Sequence, residues 1–241
     1  MNAVNAHAAV TDGIRAVLDA NAPYWAGEAE LCRTYFRSPA RTLDGDLKWL
    51  AAQAAKELVD GVVARADSPE VVAEETAHLQ AFTAAYDRLK PPGTAALTHD
   101  TLVAGASWPA NDALRALRQR HRRDGGAIGA LAGVITEGGA ATLFREGAAL
   151  AGRGGADDII GEACAAVLAD EEAHAREAID ELARLAPDAD GWATAVALTV
   201  EQSRQRLHMR AEQFGHPVEP ARFAELLAGG ADPTPVLGVL R

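Results

Sequence analysis

Two short stretches constrain this chain more than anything else in it: Asp170-Glu171-Glu172-Ala173-His174 and, upstream, Glu74-Glu75-Thr76-Ala77-His78. In each, a Glu and a His stand three residues apart, a spacing that puts both on one side of a helix. Each pair also falls on the apolar stripe of a long helical pattern. Val71, Glu75, His78, Phe82 and Leu89 make the first stripe, and Ile160, Cys164, Val167, Glu171, His174, Ala178 and Leu182 make the second. A carboxylate and an imidazole on a core-facing stripe need a partner, and a shared metal ion satisfies both. A single Glu-x-x-His arises readily by chance; two of them, both on apolar stripes, do not.

The rest of the chain reads as helix. Ala is abundant, β-branched and aromatic residues are few, and no strand is predicted, so the fold class is all-α. Thr11 caps a predicted helix over 11–20, and Asn21-Ala22-Pro23 opens a second, which Ser38-Pro39 ends. A third starts at Asp44 or Asp46 and runs to Arg65, with Glu57 as the charge on its apolar stripe. Ser68-Pro69 opens a fourth over 69–90. A crossover from Pro91 to Pro109, with at most a short turn of structure, separates this hairpin from the next. Helices are then expected over 110–123, stopped by Gly125-Gly126, over 127–151 with Glu137 on the apolar side, and over 158–186. Helices over 191–214 and 221–227 follow.

Equal height on two antiparallel helices requires equal distance from the turn, which tests the pairing of acids. Glu137 and Glu171 are centred on residue 154, inside the Gly-rich turn, and Glu57 and Glu75 on residue 66, at the break before Ser68-Pro69. Asp44 or Asp46 would instead centre the hairpin near Asp60 and bury a Pro inside a helix. Glu57 is therefore the preferred partner of Glu75.

Charge and composition bound the function. A formal net charge of -11 opposes nonspecific binding to nucleic acid or anionic membrane. No apolar run approaches the roughly eighteen residues that span a bilayer. Two cysteines cannot build a disulfide scaffold, and the N-terminus shows no basic start followed by an apolar signal core, so the expectation is a cytoplasmic protein. One helical domain over 1–241 is expected, with a metal-binding four-helix core at about 46–186.

The constellation resembles the ferritin-like di-iron carboxylate superfamily, oxygenase and oxidase branch: one Glu from each of two helices, and a Glu-x-x-His from each of the other two, converging inside a four-helix bundle. The resemblance implies a ferritin-like bundle with additional N- and C-terminal helices, and Glu57, Glu75, His78, Glu137, Glu171 and His174 as metal ligands. It further implies that Glu74 and Asp170, the acids preceding each motif Glu, hydrogen-bond the histidine of the opposite motif. The separation of Glu57 from Glu75 is shorter than is usual in the superfamily, and Asp44 or Asp46 would restore it. The cofactors implied are two iron ions, or manganese or a mixed pair, with O2 as co-substrate. Two divalent ions would cancel the four clustered carboxylate charges.

The implied activity is that of a non-haem di-iron oxidoreductase, an oxidase or monooxygenase acting on a small organic molecule in specialised metabolism. An external electron donor and a homodimer are compatible with it. No catalytic residue beyond the ligands is assigned. Hydroxylating relatives often carry a Thr four residues after the Glu at 137, and here Ala141 stands there with Thr142 beside it. Gly138, Gly139, Ala140 and Ala141 would leave room near the metals. Iron storage or ferroxidase activity, a manganese catalase-like activity and a metal-free helical interaction protein are the alternatives. Cys164 is expected as a small buried hydrophobe. The basic run Arg115, Arg118, Arg120, Arg122 and Arg123 is expected to complement a helix C-terminus. His7, His99, His121, His208 and His216 have no matching partners and are expected to be ordinary surface or core residues.

Overall fold

The computed structural model describes residues 3–66, 68–138, 141–185 and 187–236, with the side chains of 3–7, 137 and 138 excepted. Among the described residues there is no strand, and ten helical segments pack together. They are α1 (Ala3–Arg37), α2 (Leu43–Lys56), a π-helix (Glu57–Val63), α3 (Pro69–Leu89), α4 (His99–Gly105), α5 (Pro109–Gly138), α6 (Thr142–Ala148), α7 (Ala156–Leu185), α8 (Ala189–Gln213) and α9 (Pro220–Leu227).

Two boundaries differ from expectation. The two short N-terminal helices are one, a 35-residue α1 that carries Pro23 in its interior. A proline there removes one backbone donor, but Ala22 and Trp25 on either side are buried, and Asn21 bonds Thr199 of α8 at 2.8 Å. Tertiary packing holds the helix through the break. The stop expected at Gly125-Gly126 is present: at φ 54° and ψ -133° Gly126 is non-helical, so α5 is two helical stretches meeting at a kink there. The stretch expected as one helix over 127–151 instead stops at Gly138 and restarts at Thr142, with Ala141 in the left-handed region at φ 49°. Thr42 caps α2 by accepting from Gly45 N–H at 3.1 Å, which starts that helix at Leu43. Ser68 occupies the N-cap of α3 but makes no side-chain capping bond, leaving Pro69 as the start signal.

α3 packs against α2, the π-helix and α7; α5 packs against α7 and α8; and α1 packs against α8 and α6. Two apolar cores result. One gathers Phe36, Trp49, Phe82, Phe144 and Val167, with Trp49 and Phe82 edge to face at 6.2 Å. The other gathers Trp25, Leu31, Ala178, Leu182 and Leu207. Along α7, Val167 belongs to the first core and Ala178 to the second, so Glu171 and His174 occupy the stretch between them. Cys164 is fully buried in the first core, against Gly147, in the structural role expected of it.

α8 carries charge inward. Glu28 of α1, 1% exposed, bonds Arg206 at 2.8 Å and Arg210 at 3.0 Å. Burial opposes its ionisation, but the two guanidinium groups outweigh that and hold its pKa below the usual carboxylate value. The basic run 115–123 lies in the first stretch of α5 and ends just before the break at Gly126, so Arg122 and Arg123 stand near the C-terminal end of that stretch. Arg115 pairs with Asp60 at 2.8 Å, Arg120 with Glu201 at 2.9 Å and Arg123 with Asp124 at 2.9 Å. No described helix is long and apolar enough to cross a membrane.

Candidate metal centre

The hairpin of α2, the π-helix and α3 brings three side chains together. Ligand atoms of Glu57, Glu75 and His78 all lie within 4.8 Å of one another, so the group could hold a metal ion. Glu57 is the first residue of the π-helix and is 6% exposed; His78 is 1% exposed. Asp44 and Asp46, the alternatives to Glu57, lie elsewhere. Asp46 accepts from Arg41 at 2.7 Å and from the Tyr35 hydroxyl at 3.0 Å, while Asp44 pairs with exposed Lys48.

The π-helix was not legible in the sequence. Its wider turn sets Gly61 against α3 so closely that a Cβ at 61 would collide with the Glu75 carboxylate. On its other flank Asp60 is fixed by Lys56 at 2.9 Å and Arg115 at 2.8 Å. Burial works against the Asp60 charge, yet Lys56 and Arg115 prevail and pull its pKa down to about 2.

The second motif meets the first across α3 and α7. His78 Nε2 lies 3.2 Å from Asp170 Oδ2, and His174 Nε2 lies 2.9 Å from Glu74 Oε2. An ionised carboxylate only accepts, so each Nε2 carries the hydrogen and donates it. Each histidine is thus oriented by the acid that precedes the other motif's Glu. In His78 this leaves Nδ1 buried with no hydrogen-bond partner, and the nearest carboxylate oxygen, Glu75 Oε2, is 3.7 Å away. An orphaned imidazole nitrogen facing carboxylates is the environment of a metal ligand.

Glu171 is 7% exposed, and with Glu75 and His174 it lines a cavity of about 310 Å³. Glu137 lies in α5, but its side chain falls outside the described residues. Residues 139 and 140 of the small-residue run are also outside them.

The electrostatics are those of a site short of positive charge. Burial, then the neighbouring Glu75 carboxylate, pushes the Glu57 pKa up to about 7. Burial alone would depress His78, but Glu75, Glu57, Glu171 and Asp170 outweigh it and raise its pKa to about 9. Protons substitute for the missing cation in both cases, and a divalent ion would displace them.

Sequence reasoning missed Gln53. It is buried one turn before Glu57 and donates from Nε2 to Glu57 Oε1 at 2.6 Å, while its own Oε1 accepts from Gln213 at 3.2 Å. The i, i+4 spacing was a usable signal; its link to α8 was not. His121 was also passed over. It is buried between Glu201 at 2.9 Å and Gln202 at 3.0 Å and acts as a helix-to-helix tie.

Asp170 is about half exposed, so Asp170→Ala should leave the fold intact while freeing the His78 ring. Metal affinity is expected to fall roughly 10- to 100-fold, read by competition with a chromophoric chelator. Unchanged affinity would mean that His78 orientation is set by something other than Asp170. Compared with known protein families, curated proteins and solved structures, the chain matches none.

Proposed function

We propose that this chain is a non-haem di-iron oxidase or oxygenase with a ferritin-like core, acting on a small organic molecule. The observation that carries the reading is the reciprocal pairing of His78 with Asp170 and His174 with Glu74, which orients two Glu-x-x-His motifs toward each other across α3 and α7. The buried Glu57, Glu75 and His78 group and the partnerless His78 Nδ1 support it, because hard carboxylates with imidazole suit iron or manganese and the group includes no Cys. Glu57, Glu75, His78, Glu137, Glu171 and His174 would hold two ions, with Glu74 and Asp170 orienting the histidines.

Two iron ions in that setting would supply electrons for dioxygen activation. The chain's own contribution is to exchange protons for metal at Glu57 and His78, to fix both imidazoles, and to leave a cavity beside Glu75, Glu171 and His174. That cavity favours an enzyme over an iron store. An external donor would re-reduce the metals between turnovers.

The test is anaerobic Fe(II) titration of the metal-free chain, then a pulse of O2 with time-resolved absorbance. About two irons per chain and a transient visible band, both lost in Glu171→Ala, are the expected result. Many irons per chain would favour storage. Oxygen inertness with manganese bound and peroxide disproportionated would favour a catalase. No stoichiometric metal of either kind would leave a helical interaction protein.

A further inference from the structure

The cavity reaches well past the carboxylate cluster. α3 and α7 are antiparallel, since Glu74 meets His174 and His78 meets Asp170. Stepping back along α3 from Glu75 to Val71 therefore runs the same way as stepping forward along α7 from His174 to Ala178. The α7 residues that line the cavity begin at Glu171 and end at Arg184, a helical rise of about 20 Å. The cavity is thus a slot from the cluster toward the end of the helices where α3 begins and α7 finishes.

Its lining changes along that path. The cluster end presents Glu75, Glu171 and His174. Apolar walls follow, from Val71, Leu131, Val134 and Ala178. Charged side chains join the lining from the level of Ala178 outward and form its collar: Glu177 at that level, then Glu181, Arg184 and Arg65 toward the mouth. This order of chemistry is that of an amphiphile's complement, with an apolar stem inside and a polar head at the mouth.

We infer that the slot binds an aliphatic α-amino acid, with its carboxylate and ammonium in the collar and its side chain directed at the cluster. Two Arg and two Glu give the collar no net charge and place both signs side by side. A fatty acid would bring its carboxylate against Glu177 and Glu181, and an alkylamine would bring its ammonium against the two arginines. A zwitterion answers both. Arg184 and Glu181 pair with each other but remain 68% and 47% exposed, so that pair is weakly held and can open to a ligand's two charges. A volume of about 310 Å³ is at the small end for ligand cavities and suits a ligand the size of one amino acid. The assignment names the substrate class for the oxidase or oxygenase reading and rests on that reading for the reaction that follows binding.

Calorimetric titration of the full chain, metal-free and metal-loaded, with L-norleucine, hexanoate, pentylamine and glycine tests it. L-Norleucine is expected to bind one per chain. Hexanoate, which lacks the ammonium, and pentylamine, which lacks the carboxylate, should each bind at least tenfold more weakly. Glycine should bind weakest, because each buried methylene contributes about fourfold in affinity. Arg184→Ala, at an exposed position, should weaken L-norleucine and leave pentylamine unchanged. Hexanoate binding as tightly as L-norleucine would overturn the amino-acid assignment, as would a chain that loads two metals and binds none of the four. L-Norleucine binding to a chain that takes up no metal would uphold the slot and sink the metal reading instead.

Discussion

Glu57→Gln is expected to stabilise the metal-free protein at pH 8 while stripping metal from the cluster. Glu57 is buried beside Glu75, and those two facts push its pKa up to about 7 from the ordinary carboxylate value of 4.5. At pH 8 the carboxylate is ionised in both folded and unfolded chains, and the folded chain bears the cost of that buried charge. A pKa difference of this size corresponds to about 3 kcal/mol. Gln has the same shape and no charge, and its side-chain oxygen can still accept from Gln53 Nε2, so the local hydrogen bond survives. The thermal midpoint of chelator-treated protein should rise by several degrees at pH 8. It should move little at pH 5, where folded Glu57 is already protonated. Bound metal, counted by elemental analysis, should fall by at least one ion per chain. A variant that keeps its full metal complement would remove Glu57 from the ligand set, and an unchanged midpoint would show that its carboxylate is solvated.

The metal-free protein should lose stability as pH rises from about 5 to 9, the reverse of a protein held by salt-bridged carboxylates. His78 in the folded chain titrates at about 9 against an ordinary 6.5. Its contribution is fully present below 6.5 and is lost as pH climbs through 9. Glu57 has a raised pKa as well, so its contribution is present below 4.5 and is lost as pH climbs through about 7. Each shift is worth about 3 kcal/mol, and the pair together less than the sum because neighbouring groups titrate as a unit. Urea midpoints of chelator-treated protein at three pH values across this range would measure it. Metal-loaded protein should show a much flatter profile, since the ions take the protons' place and bind more tightly as pH rises. A metal-free midpoint that holds level or increases toward pH 9 would mean that the cluster is not assembled without metal.

The two predictions draw on different layers of information. The motif residues were legible because helical periodicity is local: Glu75 with His78, and Glu171 with His174, share a face whatever else the chain does. The reciprocal contacts of Glu74 with His174 and Asp170 with His78 follow from that periodicity once α3 and α7 face each other in register. The preference for Glu57 over Asp44 and Asp46 came from distance to the turn, which works because an antiparallel hairpin is nearly symmetric about it.

Other features were not local. The 35-residue α1 survives Pro23 because its flanks are packed against α8, and no window around Pro23 contains α8. Ala141 adopts a left-handed conformation that its own side chain disfavours, so the residue itself did not announce that a new helix starts at Thr142. The π-helix has no period of its own to read; only Gly fits at 61, because Glu75 presses against it from the next helix, and Asp60 is held there by Arg115 from α5.

By itself, then, the sequence determined the helices, their apolar faces and the four motif residues that those faces turn inward, because each depends on side chains a few positions apart. Only the tertiary structure decided what holds Glu57 beside Glu75 and His78 and what draws Asp46 away from them. Asp46 is drawn off by Tyr35 and Arg41, Arg41 is drawn in turn to Asp157, and Glu57 is bonded by Gln53, which α8 steadies through Gln213. Those partners come from helices far apart in the chain, and pairings between buried charges are set by where the helices meet.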